Sequence, residues 1–276
     1  YKIIDKRTLK PFCKKVLKPI ENEKIEEYHE KTLREFNYLN PIDHPSICRN
    51  FAINLDEKIR NDKGKMVDTL ALYTEFLDYK LSDCLKNNLL SNTDKARISV
   101  EIAHGLRMIH MKSRLFENLN YFKIMLNRNF EAKIIGFGHS KPDKDSEIDD
   151  ILIPPLISND DSEINKPELL NEDNYDHKTD VYLFGMFLYY IFTGKTLIFN
   201  SDEKSIQFPE PTNSMQQYCI DLIKKCLTVH PAERPSIEEV LEDMKNNSYS
   251  FADDIDEIIV SSRDNELDLI ESKQKI

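Results

Sequence analysis

The 276-residue sequence predicts an α+β fold in two lobes, a small, mainly β lobe followed by a large, mainly α one. Three observations predict it. Short strand-like apolar runs broken by turn residues occupy much of the first eighty or so positions. From about residue 80 onward, apolar positions recur at helical spacing between well-marked caps. Inside that second part lies an unbroken apolar run, Val181–Phe192, too uniform for a surface helix and so read as a helix buried on all sides.

In the first part, Tyr1–Asp5 and Phe12–Leu17 flank Lys6-Arg7-Thr8 as the arms of a hairpin. One amphipathic helix is expected over Ile25–Leu39, with Ile25, Tyr28, Leu33, Phe36 and Leu39 on or near one face, stopped by Pro41 and Pro45. Val67–Phe76 is a further strand. Lys80–Asn87 begins the helical remainder. Ser91-Asn92-Thr93-Asp94 is an N-cap cluster for a long helix through His110. Asp180–Phe192 closes on Thr193-Gly194-Lys195 with Gly194 as the C-terminal cap. Met215–Leu227 is amphipathic, and Pro235-Ser236-Ile237-Glu238-Glu239 opens the last helix of the domain. Between Pro142 and Asn174 runs an acidic, poorly periodic stretch of the length that functional loops have. The expected division is 1–78 for the small lobe, 79–247 for the large lobe and 248–276 for an acidic tail with a short helix around Asn265–Glu271.

Composition excludes several classes. A formal charge of −11 leaves no basic stripe for nucleic acid or an anionic membrane surface. The longest apolar run is twelve residues with Gly185 inside it, far short of a membrane span. Five scattered cysteines without a C-x-x-C pair point to reduced thiols and a cytoplasmic setting. His104 and His110, six apart, fall on different helix faces and read as packing or surface residues rather than metal ligands.

Several ordered motifs then carry a resemblance. Asp180-Val181-Tyr182-Leu183-Phe184-Gly185 is followed by Ile191-Phe192-Thr193-Gly194, and later by His230-Pro231-Ala232-Glu233-Arg234-Pro235-Ser236. Lys166-Pro167-Glu168 precedes them, and Cys13-Lys14-Lys15-Val16 and Glu35 stand near the start, ahead of Asp43-His44-Pro45-Ser46-Ile47. Over residues 1–247 the chain resembles the eukaryotic protein kinase domain, and within it the tyrosine-kinase-like serine/threonine group. The resemblance implies the bilobal kinase fold, with Lys15 as the nucleotide lysine and Glu35 as its partner. It also implies a Glu168–Arg234 ion pair in the large lobe. Asp180 is expected to brace the catalytic turn, and Phe116, Phe137 and Leu39 to stack as an apolar spine.

The same resemblance exposes losses. Phosphoryl transfer needs metal ions bridging the phosphates, a lysine on the phosphates, a glycine-rich cover and an aspartate orienting the acceptor hydroxyl. The run aligned with His-Arg-Asp-Leu-Lys-x-x-Asn reads Phe116-Glu117-Asn118-Leu119-Asn120-Tyr121-Phe122-Lys123. Asn118 stands at the base position, and its amide accepts no proton at neutral pH. Asn120 replaces the companion lysine, and Lys123 replaces the metal-binding asparagine. Asp-Phe-Gly has become Gly136-Phe137-Gly138, so the second metal ligand is lost as well. No G-x-G-x-x-G can be assembled from the six glycines, and the sequence opens at the strand that follows that loop in the family.

The expected function is therefore a catalytically inactive pseudokinase, a binding or allosteric module whose partner is a protein such as an active kinase paralogue. No cofactor is expected, beyond a weak, Mg-independent hold on ATP. The alternatives are a weak or unconventional ATP-dependent serine/threonine kinase using Lys15 and a relocated metal site, and a decayed gene product whose domain folds poorly. In the vacated metal position, Lys123 is expected to place its ammonium, neutralised by Glu117, Asp180 or a neighbouring carboxylate.

Overall fold

A computed structural model describes residues 1–16, 42–60, 64–116, 119–136, 176–195 and 215–274, with the shorter pieces 33, 36–37, 141–142, 197, 199–200 and 205–206. Of the helix expected over 25–39 only 33 and 36–37 are described, and they are helical; the rest of it, the acidic stretch after Pro142, and Glu35, Leu39, Glu117, Asn118, Phe137, Gly138 and Glu168 lie outside the described residues.

The small lobe is a four-stranded antiparallel sheet in the order β1-β2-β4-β3, built from β1 (Lys2–Ile4), β2 (Pro11–Val16), β3 (Asn50–Arg60) and β4 (Met66–Glu75). The first two form the expected hairpin, with Ile3 opposite Phe12. Asp5 caps the turn by accepting the backbone N–H groups of Arg7 and Thr8, which holds its carboxyl below the usual range. β4 is flanked on both sides, and its consecutive Leu70, Ala71 and Leu72 are all buried. Buried neighbours on both faces are what make a continuous apolar run, rather than an alternation, the right pattern there. β3 escaped the sequence reading. It carries register shifts between Asn50 and Ala52 and again between Asn54 and Glu57, and each shift breaks the period-two signal.

The large lobe follows, with α1 (Leu81–Lys86), α2 (Asn92–Met111), α3 (His177–Thr193), α4 (Gln217–Cys226), α5 (Ile237–Asn246) and α6 (Glu257–Gln274). Capping explains the starts. Ser91 and Asp94 form a capping box on α2, as do Ser236 and Glu239 on α5. α3 begins three residues ahead of the expected Asp180, because Asp176 accepts the backbone N–H groups of Lys178 and Thr179. It ends at Gly194, whose φ of +68° is the left-handed value that favours glycine. α3 is buried on nearly every side and packs on α2 and α4. Gly185 is there for space: a Cβ at that position would come within 2.8 Å of Cys226 Cβ and 3.0 Å of Leu227 Cγ.

The chain crosses from the small lobe to the large one at residues 76–80, between β4 and α1, and residues 42–48 dock the small lobe on the large one at this junction. Ile47 pairs with Ile134 of the large lobe's β-hairpin, the Cys48 N–H donates to the Ile134 carbonyl at 2.9 Å, and the Ile134 N–H donates to the Ser46 carbonyl at 2.8 Å. At the end of β4, the Glu75 carboxylate accepts the Arg49 N–H and lies 3.0 Å from Lys133 Nζ, a second tie between the lobes.

The acidic end of the chain needs correction. In place of a short helix around 265–271 there is an eighteen-residue helix, α6, lying along α2. Tyr249, Phe251, Ala252 and Val260 are buried in the same core cluster as α2 and α3.

Candidate functional site

The site candidate is the turn that follows α2 and β5 (Arg114–Leu115, paired with Lys141–Pro142) and leads into the hairpin of β6 (Ile124–Leu126) and β7 (Ala132–Ile134). Its floor is set from below by Asp180, fully buried in the first turn of α3. Asp180 Oδ2 accepts the Phe116 N–H at 2.9 Å and stands 2.9 Å from His110 Nε2. Phe116 is fully buried. Sequence reading set His110 aside as packing. It is instead in direct contact with the aspartate under the turn, on the face of α2 away from His104, as the six-residue spacing requires.

Asn120 points inward rather than into the cleft. Its Oδ1 accepts the N–H groups of Phe122 and Lys123 at 2.9 and 3.1 Å, capping the 3₁₀ turn Tyr121–Lys123. A lysine has no acceptor and could not make this cap. The substitution therefore exchanges a cation for a turn-forming side chain. Tyr121 stacks on Tyr190 of α3 with ring centroids 3.8 Å apart, while Phe122 is exposed.

Lys123 and Gly136 meet. The Lys123 side chain runs over Gly136: a Cβ on residue 136 would lie 3.2 Å from Lys123 Cδ and 3.5 Å from its Nζ. The Ile135 N–H also donates to the Lys123 carbonyl at 2.9 Å, so the two segments are laced together. Gly136 adopts φ +78°, where any side chain is strained. Among the described residues no carboxylate lies within ion-pair distance of Lys123 Nζ, and Asp180, one of its expected neutralisers, is engaged by Phe116 and His110. Glu117, the other, is outside the described residues. No group of His, Cys, Asp and Glu among the described residues could hold a metal ion.

In the small lobe, Lys15 lies opposite Leu72 in the sheet and is exposed, on the face that alternation gives to Cys13. Its neighbour Lys14 faces the other way and pairs with Glu57 on β3 at 2.7 Å. The hydrogen bond that Lys14 donates to Glu57 pushes the ammonium's pKa up, and Lys14 in turn holds Glu57 down.

Away from the cleft, Arg234 is almost wholly buried. Its guanidinium donates to the carbonyls of Thr228 (2.7 Å), Lys178 (3.0 Å) and Val229 (3.2 Å) and sits over the Tyr182 ring. Lys178 Nζ returns a bond to the Arg234 carbonyl at 2.6 Å. The ion pair the resemblance implies with Glu168 falls outside the described residues, and the carbonyl partners of Arg234 leave no trace in side-chain identities.

With this geometry in hand, comparisons with known proteins add three findings. The profile of the family described as Protein kinase domain matches residues 1–244. A probable serine/threonine-protein kinase of Dictyostelium discoideum is 28% identical over 257 residues, covering 87% of this chain and 40% of its own length. From the same organism, a probable LIM domain-containing serine/threonine-protein kinase is 27% identical over 218 residues, covering 76% of this chain and 31% of its own. This chain thus spans two fifths or less of the length of these relatives.

Proposed function

Since this chain belongs to the protein kinase domain family, we propose that it is a pseudokinase of the tyrosine-kinase-like group, a kinase-fold module that binds or regulates a protein partner and does not transfer phosphate. The partner class proposed is an active kinase paralogue, in the cytoplasm, with neither nucleic acid nor membrane as ligand.

One observation carries the reading: the Lys123 side chain occupies the space over Gly136. These are the two positions from which the family holds its metal ions. Mg²⁺ demands near-octahedral oxygen ligation at about 2.0–2.1 Å, and glycine offers no oxygen from a side chain while an ammonium repels the ion. A positioned general base is worth about 10²–10⁴-fold, and Asn118 provides none. The cap made by Asn120 removes a third charge from the cleft.

A second reading has support from the comparisons, since the relatives are named serine/threonine-protein kinases. In it the domain is a weak, unconventional kinase. One assay separates the two. The purified chain, incubated with ATP and Mg²⁺ or Mn²⁺ and a generic protein substrate, is expected to incorporate no phosphate above a no-enzyme blank. Metal-dependent incorporation abolished by Lys15→Met would establish the second reading. Asn118→Asp is expected to leave the chain inactive, because Lys123 and Gly136 still exclude the metal. A thermal-shift titration with ATP should give little or no stabilisation, unchanged by added Mg²⁺.

A further inference from the structure

The family profile ends at residue 244, yet the chain beyond it buries two carboxylates, Asp264 and Glu271, against the large lobe. α6 buries Val260, Asp264, Leu267 and Glu271, a stripe at helical spacing of which half is carboxylate. Opposite it, α2 presents Glu101, His104 and Arg107. His104 is fully buried with Nε2 2.7 Å from Asp264 Oδ1 and Nδ1 2.8 Å from Glu271 Oε1. Arg107 donates to Glu271 and Asp268, each at 2.6 Å. One turn away, Glu101 accepts from Arg97 and, across the seam, from Arg263 of α6. From α5, Lys245 approaches Asp264 and Asp268 at 3.7 and 3.5 Å, and Tyr249 donates to Asp264 at 2.6 Å.

The far end of α6 reaches the lobe junction. Glu271 Oε1 lies 3.3 Å from His44 Nε2, though off line for a hydrogen bond, and the Gln274 amide donates to the Asp43 carbonyl at 2.5 Å. His44 Nδ1 in turn accepts the N–H of Ser46, the residue whose carbonyl receives Ile134. A path of polar contacts thus runs from α2 through α6 to residues 42–48, which dock the small lobe on the large one.

We infer that α6 is a clasp between the large lobe and residues 42–48, closed by a protonated His104, and that opening it loosens the lobe junction. The inference is independent of whether the chain transfers phosphate. Charge balance argues for the protonated ring: among the described residues three carboxylates (Asp264, Asp268, Glu271) face two permanent cations, Arg107 and Lys245, and both ring nitrogens face carboxylate oxygens, although Nδ1 also lies 2.9 Å from Arg107 Nη2. A neutral imidazole would turn a lone pair toward one of them; the Arg107 guanidinium at Nδ1 opposes the ring's charge, and the two carboxylates outweigh it. Burial alone would lower the His104 pKa, but the bonds the ring donates to Asp264 and Glu271 outweigh it and hold it above the ordinary imidazole value. Burial lowers that of His44. The signs follow from linkage. What His104 contributes is complete below its unfolded pKa of about 6.5 and is lost as pH rises through its folded value. The His44 contribution is present above about 6.5 and is lost as pH falls. The clasp is therefore tightest near pH 6.5.

Hydrogen exchange by mass spectrometry on the full chain, corrected for intrinsic rates, tests this. Glu271→Gln is expected to raise exchange about tenfold in both 257–274 and 42–48, leaving β4 within about twofold. Gln274→Ala removes a single exposed contact without endangering the fold, and is expected to raise exchange in 42–48 by a smaller factor. Lys225→Ala, in an exposed α4–α5 pair with Asp243, should change neither region. Moving the parent from pH 6.5 to 8.5 should loosen both regions together, and His104→Gln should abolish that pH dependence. Opening of 257–274 with 42–48 unchanged, in Glu271→Gln and Gln274→Ala alike, would overturn the clasp. A parent indifferent to pH, or a His104→Gln protein with the parent's pH response, would overturn the role of His104.

Discussion

The cleft and the framework beneath it treat charge in opposite ways. In the framework, the buried ionic side chains Arg234, Glu101 and Asp180 are each answered by protein groups. Arg234 has three carbonyls, Glu101 has two arginines and the Ala132 N–H, and Asp180 has Phe116 and His110. In the cleft, Lys123 extends over a glycine, and Asn120 spends its side chain on its own backbone. Groups that satisfy one another hold a fold without help. A phosphate site is different, because its charges are complete only when metal and nucleotide arrive. Substitutions at such positions remove no native contact, and so they leave the framework standing.

The comparison predicts a wide spread of stabilities. The largest effect belongs to Arg234→Ala. It strands the carbonyls of Thr228, Lys178 and Val229 and empties the space over Tyr182, at a cost of about 3–5 kcal/mol. In a domain this size that is a fall in Tm of about 6–20 °C, measurable by circular dichroism. Arg234→Lys should recover little of it, since one ammonium cannot span a fork's three acceptors. An Arg234→Ala melt superimposable on the parent's would show the framework to be less dependent on this residue than its burial implies.

Gly185→Ala comes next. The added methyl meets Cys226 and Leu227 inside the closest contact that carbon atoms tolerate, so α3 and α4 must separate slightly. Overpacking of this kind costs about 1–3 kcal/mol, readable as a shift in the urea midpoint at constant slope. Gly105→Ala, facing Ile134 Cδ1 at 2.8 Å, should be milder because a side-chain end can give way.

The smallest effects are expected in the cleft. Lys123→Asn and Lys15→Ala should each change stability by no more than about 0.5 kcal/mol. A Lys123→Asn protein destabilised as much as Gly185→Ala would erase the distinction between cleft and framework.

How much of this was legible beforehand depends on what filled each buried face. α2, α3 and α5 announced themselves through Ser91, Gly194 and Ser236 at their ends and through apolar periodicity between. The hairpin of β1 and β2 and the buried β4 were equally plain. α6 was not, because its buried stripe alternates Val260 and Leu267 with Asp264 and Glu271, and a search for apolar periodicity counts carboxylates as solvent-facing. β3 was hidden by its register shifts. In the site, the positions given to Asn118, Asn120, Lys123 and Gly136 come from the resemblance to the kinase domain rather than from the residues themselves. The inward turn of Asn120 and the contact of Lys123 with Gly136 depend on backbone geometry that spacing does not encode.

The mixed stripe on α6 has a consequence for fidelity of docking. A helix held only by leucine and valine can slip along its neighbour by one turn, about 5.4 Å, and find nearly equivalent contacts. Here such a slip would set Asp264 and Glu271 against the wrong rungs of α2, bringing carboxylate toward Glu101 and withdrawing it from His104 and Arg107. The pattern of charges works like the wards of a lock: it admits one register and makes every displaced one unfavourable.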